Sequence, residues 1–234
     1  MLLRKFSPGS SDLRFSSMGC WLALIFVVLL AGCTSSPVGH VLRDRVGTNS
    51  TRHSFNVCHG YGCTSITNVS ISDDEWVQVR TLFVQRPQNA EEERKRISLA
   101  IALLERIVGP KAGIEGDIGG AVYLGKAGQL DCIDESANTT SYLTFLRNDG
   151  LMTYHDIGEA VIYGNMLIND WPSNSATIIE RGTSNQYAVD SFWHNNGSEP
   201  EILPVYLWSS GCWLDSPECR RLSYSEAIEC CAGG

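Results

Sequence analysis

Nine cysteines fall into separate groups along the 234 residues: Cys20 and Cys33, Cys58 and Cys63, a solitary Cys132, then Cys212, Cys219, Cys230 and Cys231. So many thiols in a chain of this size fit an oxidising compartment, where disulfides are the default and staple the fold they cross. The rest of the composition, 43% hydrophobic and 19% charged, describes a globular chain. It is long enough for one core of roughly 150 residues. A formal net charge of −8 argues against nucleic acid as a partner. The one basic block, Arg94-Lys95-Arg96, follows Glu91-Glu92-Glu93 and reads as a charge-paired helix face.

Arg4, Lys5 and Arg14 precede an apolar run from Trp21 to Leu30. Ten residues are too few to cross a hydrocarbon core of about 30 Å, so the segment reads as an export signal. It ends in Leu30-Ala31-Gly32-Cys33, which resembles the bacterial lipobox. That resemblance implies cleavage before Cys33, a diacylglycerol on its sulfur and a firm membrane anchor. Thr34 in place of Asp implies the outer membrane, with the protein facing the periplasm. An ordinary signal peptide, with Cys33 in a disulfide, is the alternative. The expected organisation is a signal peptide over 1–32, a flexible Ser/Gly/Asn-rich tether over 33–55, a globular domain over 56–208 and a Cys-rich tail over 209–234.

In the domain, Cys58-His-Gly-Tyr-Gly-Cys63 closes a short loop with glycines that can turn tightly. A local disulfide is the first expectation; a metal held by both cysteines and His59 is the rival, short of a fourth ligand. Ser72 with Glu75 has the capping-box spacing, and Trp76, Val79 and Phe83 form the stripe of a helix that Pro87 should stop. Asn89 opens a second helix carrying Ile97, Ile101, Leu104 and Val108, with Gly109-Pro110 as its expected stop. The glycine-rich stretch from Lys111 to Gln129 lacks a P-loop pattern and reads as a connecting loop.

Cys132 then stands at a helix start, beside unpaired backbone N–H groups and the positive end of the dipole, both of which favour thiolate. Asp131, Asp134 and Glu135 oppose that by charge. Ile133, Ala137, Leu143 and Leu146 give the helix a buried face, and Asn148-Asp149-Gly150 ends it. Strand-like pieces follow at Leu151–Ile157, Ala160–Tyr163, Ala176–Glu180 and Gln186–Asp190, with a turn at Gly182–Asn185. Glu201–Trp208 reads as an edge strand containing Pro204. Helices first and an antiparallel sheet after them make an α+β fold.

A cysteine heading a helix, that helix ending in Phe145-Leu-Arg-Asn-Asp-Gly150-Leu, and a later strand ending in Val189-Asp190-Ser are together similar to the transglutaminase-like branch of the papain-like superfamily. The match covers Gln129 to Trp193. It implies that Cys132 is a nucleophile and that Asp190 orients a base, with Gln129 as an oxyanion donor. The segment that should carry the histidine base reads Ser173-Asn174-Ser175, and neither hydroxyl nor amide takes a thiol proton as imidazole does. His155 and His194 are the substitutes in nearby sequence. If Cys58 pairs with Cys63, and Cys212, Cys219, Cys230 and Cys231 pair among themselves, Cys132 is the free thiol; otherwise it is a buried thiol or half a disulfide. The expected function is a lipid-anchored envelope protein with a degenerate transglutaminase-like domain that is binding or structural rather than strongly catalytic, with an envelope protein or peptide as its partner. A thiol-dependent amide hydrolase or transferase is the alternative. No cofactor or metal is expected.

Overall fold

The computed structural model describes residues 37–47, 50–120, 126–164 and 172–211. Cys20, the lipobox with Cys33, and Cys212, Cys219, Cys230 and Cys231 lie outside the described residues. The stretch read as a tether contains a short helix, α1 (Pro37–Val41), that runs into a π turn (Leu42–Val46). Val38 and Val46 are buried there against Cys58, Cys63 and Ala137, so this part of the stretch joins the domain.

A hairpin follows that local patterns did not announce: β1 (Phe55–His59) pairs antiparallel with β2 (Ser65–Val69). The glycines between them obscure the alternation, yet Phe55, Val57 and Val69 are buried as a strand face requires. Cys58 and Cys63 are disulfide-bonded across its turn, with Cα atoms 4.7 Å apart. The expected local disulfide is present, and His59 instead meets the Thr67 hydroxyl at 2.9 Å.

The next two helices follow from their caps. Ser72 and Glu75 form the reciprocal capping box of α2 (Asp73–Thr81), and the Asn89 side chain accepts the Glu92 N–H to start α3 (Ala90–Ala112). Trp76 and Val79 bury one stripe of α2. Ile97, Ile101, Leu104 and Val108 do the same for α3, each Ile or Leu contributing about 1.5–3 kcal/mol by burial. Contrary to expectation, α2 ends before Pro87, and α3 runs through Pro110 to Gly113. Proline strips the helix of one donor and crowds the carbonyl one turn back, yet it fits a helical φ; the stop is Gly113 at φ 72°, a conformation glycine adopts freely.

Helix α4 (Cys132–Asn148) packs on a four-stranded antiparallel sheet ordered β3 (His155–Tyr163), β4 (Ser173–Glu180), β5 (Gln186–Asp190), β6 (Glu201–Pro204). The two strands expected at 151–157 and 160–163 are one, kinked by a register shift between Gly158 and Val161. A Cβ on Gly158 would lie 2.3 Å from Thr177 Oγ1, so any other residue there would have to displace the Thr177 hydroxyl. The expected edge strand at 201–208 is also half right. After β6, which is an edge, Pro204 begins the short helix α5 (Val205–Trp208). With five helices and two antiparallel sheets among the described residues, the class is α+β. The core lies where Tyr142, Leu143 and Leu146 of α4 meet α3 on one side and Ala176, Ile178 and Val189 of the sheet on the other.

Candidate functional site

The C-terminal half of α4 is apolar on its buried side, but the N-terminal half buries Asp134, Glu135, Ser136, Asn138 and Thr139. A helix tolerates such a face only if every polar group finds a partner. Ser136, Thr140 and Thr144 each donate to the carbonyl four residues back. Asn138 reaches the hairpin, accepting the Cys58 N–H at 2.8 Å and donating to the Cys58 carbonyl at 3.0 Å. This polar half presents Cys132.

Asp131 is the N-cap: its Oδ1 accepts the N–H groups of Ile133 at 3.0 Å and Asp134 at 2.9 Å, and Asp134 reciprocates toward the Asp131 N–H. Donors that could have favoured a thiolate are thus spent on a carboxylate. The sulfur itself accepts the Asn174 side-chain amide at 3.5 Å and lies 4.0 Å from the Pro172 carbonyl. Burial pushes the Cys132 thiol above its ordinary range; the Asn174 N–H groups pull it down, and the charges of Asp131 and Asp190 push it up. The group is a neutral thiol that faces an amide.

Asp190 ends β5 one residue beyond the Ala176–Val189 pair, which brings it to the same end of the sheet as Asn174. Its partners are the Trp208 indole N–H, 2.5 Å from Oδ2, and the Phe192 N–H, 3.1 Å from Oδ1. Burial pushes its carboxyl up to about 7, and neighbouring Glu201 adds to the rise. Glu201, its cross-strand partner on β6, lies 2.6 Å from His194 Nε2. Burial works against a charged His194 imidazole, yet Glu201, Asp190 and Glu105 together raise its pKa. Glu105 is buried and pushed up to about 7, and burial with four neighbouring carboxylates holds Glu135 well above the usual range. Burial in this polar interior thus favours the protonated form of its carboxyls.

Of the residues singled out from sequence, the structure brings Cys132, Asn174 and Asp190 to one end of the sheet. His155 is elsewhere. It pairs with Glu180 while Asn174, six residues earlier on β4, pairs with Ile162, which puts about 20 Å of strand between them. There it is fully buried, its Nδ1 2.9 Å from Glu93 and its Nε2 3.3 Å from Arg94. His194 is engaged by Glu201, its Nε2 2.6 Å from the carboxylate. The Gln129 amide is turned into its own loop, donating to the Gly116 carbonyl at 2.8 Å and accepting the Ile118 N–H at 3.3 Å.

Local sequence did not reveal Trp208, Glu201, Glu105 or Asn138 as members of this polar interior. The one available signal was composition: Asp, Glu, Asn and Thr packed into a helix that also had to be buried. Among the described residues no group of three or more His, Cys, Asp or Glu side chains is placed to hold a metal ion. Set against protein-family models, curated proteins and solved structures, the chain matches none of them.

Proposed function

We propose that this is a lipid-anchored envelope protein whose domain keeps a transglutaminase-like layout but binds, rather than cleaves, an amide or peptide. The anchor is Cys33, and the surface it attaches to is the outer membrane, with the domain facing the periplasm. What supports the layout is the order of parts: a cysteine at the head of a helix packed on an antiparallel sheet, and an aspartate ending the neighbouring strand. The observation that carries the non-hydrolytic reading is the Asn174 amide on the Cys132 sulfur, where a base would have to stand. An amide cannot accept the thiol proton, and loss of a triad base costs orders of magnitude in rate.

The test is an acylation assay with an activated ester, following release of the leaving group by wild type and by Asn174→His. Wild type shows no burst, and the histidine variant, with an imidazole at the sulfur, gains a measurable one. A stoichiometric burst from wild type that disappears in Cys132→Ser would overturn the reading and establish a thiol acyltransferase or hydrolase. For the anchor, Cys33→Ala releases the protein from membranes; continued tight attachment would contradict lipidation.

A further inference from the structure

The turn of the β1–β2 hairpin is wound against the grain of L-residues. Gly60, Tyr61, Gly62 and Cys63 follow one another at φ 83°, 67°, 67° and 57°. Glycine accepts such angles, whereas Tyr61 and Cys63 each pay of the order of 1 kcal/mol for them. The winding aims three successive backbone N–H groups at the first turn of α4. Tyr61 donates to Asp134 Oδ2 at 2.8 Å, Gly62 to Asp131 Oδ2 at 2.8 Å and Cys63 to Asp134 Oδ1 at 2.5 Å. These are the two carboxylates of the capping box that flanks Cys132. The Cys58–Cys63 disulfide closes the turn and packs against Ala137 one turn further along the helix. Asn138 holds the other end of the loop at Cys58.

We propose that the Cys58–Cys63 disulfide is a redox latch: closed, it holds the loop on Asp131 and Asp134 and thereby fixes the first turn of α4 and Cys132; opened, it lets that turn loosen. The bond is buried, with Cys58 0% and Cys63 1% exposed, so opening requires a dithiol reductant that meets it as the loop lifts off the helix. Its two thiols pass two electrons and two protons to the sulfurs; the Cys58–Cys63 S–S bond breaks, a new S–S bond forms in the reductant, and both cysteines become thiols. Tyr61 and Cys63 are then free to return to negative φ, and the three N–H groups leave the carboxylates. Asp131 and Asp134 keep their mutual cap, so α4 persists while its start becomes accessible. The latch is independent of whether Cys132 performs chemistry.

The experiment compares oxidised and dithiothreitol-reduced full-length protein for the iodoacetamide labelling rate of Cys132, mapped by mass spectrometry, and for amide exchange over 60–63 and 133–136. The latch predicts about a tenfold faster labelling after reduction, the equivalent of ~1.4 kcal/mol of opening, with exchange rising in both segments. Asp134→Ala, with its disulfides intact, removes two of the loop's three ties together with its own half of the cap, so labelling at least as fast as in the reduced protein is expected. The wild-type comparison stands alone if that variant does not accumulate. Labelling within twofold after verified reduction of Cys58 and Cys63 would overturn the latch. So would loss of the far-UV circular dichroism on reduction, since the bond would then support the whole domain.

Discussion

Asn174 donates its side-chain amide to the sulfur of Cys132 across 3.5 Å, from the second residue of β4 to the first residue of α4. The contact makes the thiol an acceptor held in place by a group with no proton affinity at neutral pH. The surroundings agree with it: Asp131 takes the helix-end donors, and Asp190 is bound to Trp208 instead of to an imidazole.

The polar interior gives the domain an unusual dependence on pH. Asp134, Glu105 and Asp190 are raised to about 7 and Asp117 to about 6, chiefly by burial. A carboxyl whose folded pKa lies above its unfolded one stabilises fully below the unfolded value, and that stability is lost as pH rises through the folded value. His194, also raised, has the same sign. Glu93, Asp149 and Asp156 are lowered, and their contribution disappears only as pH falls below the ordinary carboxylate range. The melting temperature should therefore peak near pH 5 and fall by about 5 °C or more by pH 8. A flat or rising profile over that window would contradict protonated buried carboxyls.

Trp208→Phe keeps an aromatic ring beside Tyr163 but removes the donor to Asp190 along with part of the buried indole. The loss should cost about 1–3 kcal/mol in urea unfolding, because a buried carboxyl is left with one fewer partner. The indole N–H favours the ionised form, so the cost should be greater at pH 8 than at pH 5.

Asn138→Ala removes both bonds to the Cys58 backbone and leaves two buried groups without them. About 2–3 kcal/mol of destabilisation is expected, measured by chemical unfolding under oxidising conditions. Asn138→Asp, whose carboxyl accepts and, once protonated, also donates, should fall between alanine and wild type at low pH and approach alanine as it ionises.

His155 is predicted to be structural. Glu93 gathers the Thr153, Tyr154 and His155 backbone N–H groups together with His155 Nδ1. His155→Asn should lower stability by about 1–3 kcal/mol through the orphaned Glu93 and Arg94 contacts, while labelling of Cys132 stays within twofold. A tenfold fall in labelling would return His155 to the thiol site.

Features carried by neighbours in sequence were legible. Ser72 with Glu75, Asn89 with Glu92, and the run from Gln186 to Asp190 all became the expected caps and strand, since each depends on a few adjacent residues. Elements decided by distant packing were not. The Gly158–Val161 kink joins two apparent strands because β4 pairs with both, and the hairpin at 55–69 depends on α4 covering one face. The site divides in the same way. Cys132 and Asp190 lie at the ends of elements that local signals delimit, and Asn174 of the Ser173-Asn174-Ser175 run is the residue that meets the sulfur. Trp208, Glu201 and Asn138 take their roles from contacts with residues 18, 7 and 80 positions away, which no local pattern encodes.

The most direct measurement is the pH profile of Cys132 alkylation by iodoacetamide in oxidised wild-type protein, with the modified residue mapped. A neutral, half-buried thiol without a base predicts slow labelling that climbs only above the ordinary thiol range, and a profile shifted to higher pH when Asn174→Ala removes the amide donor. Rapid labelling at pH 6 with an apparent pKa well below that of a free thiol would contradict it, and would mean that an imidazole reaches the sulfur after all.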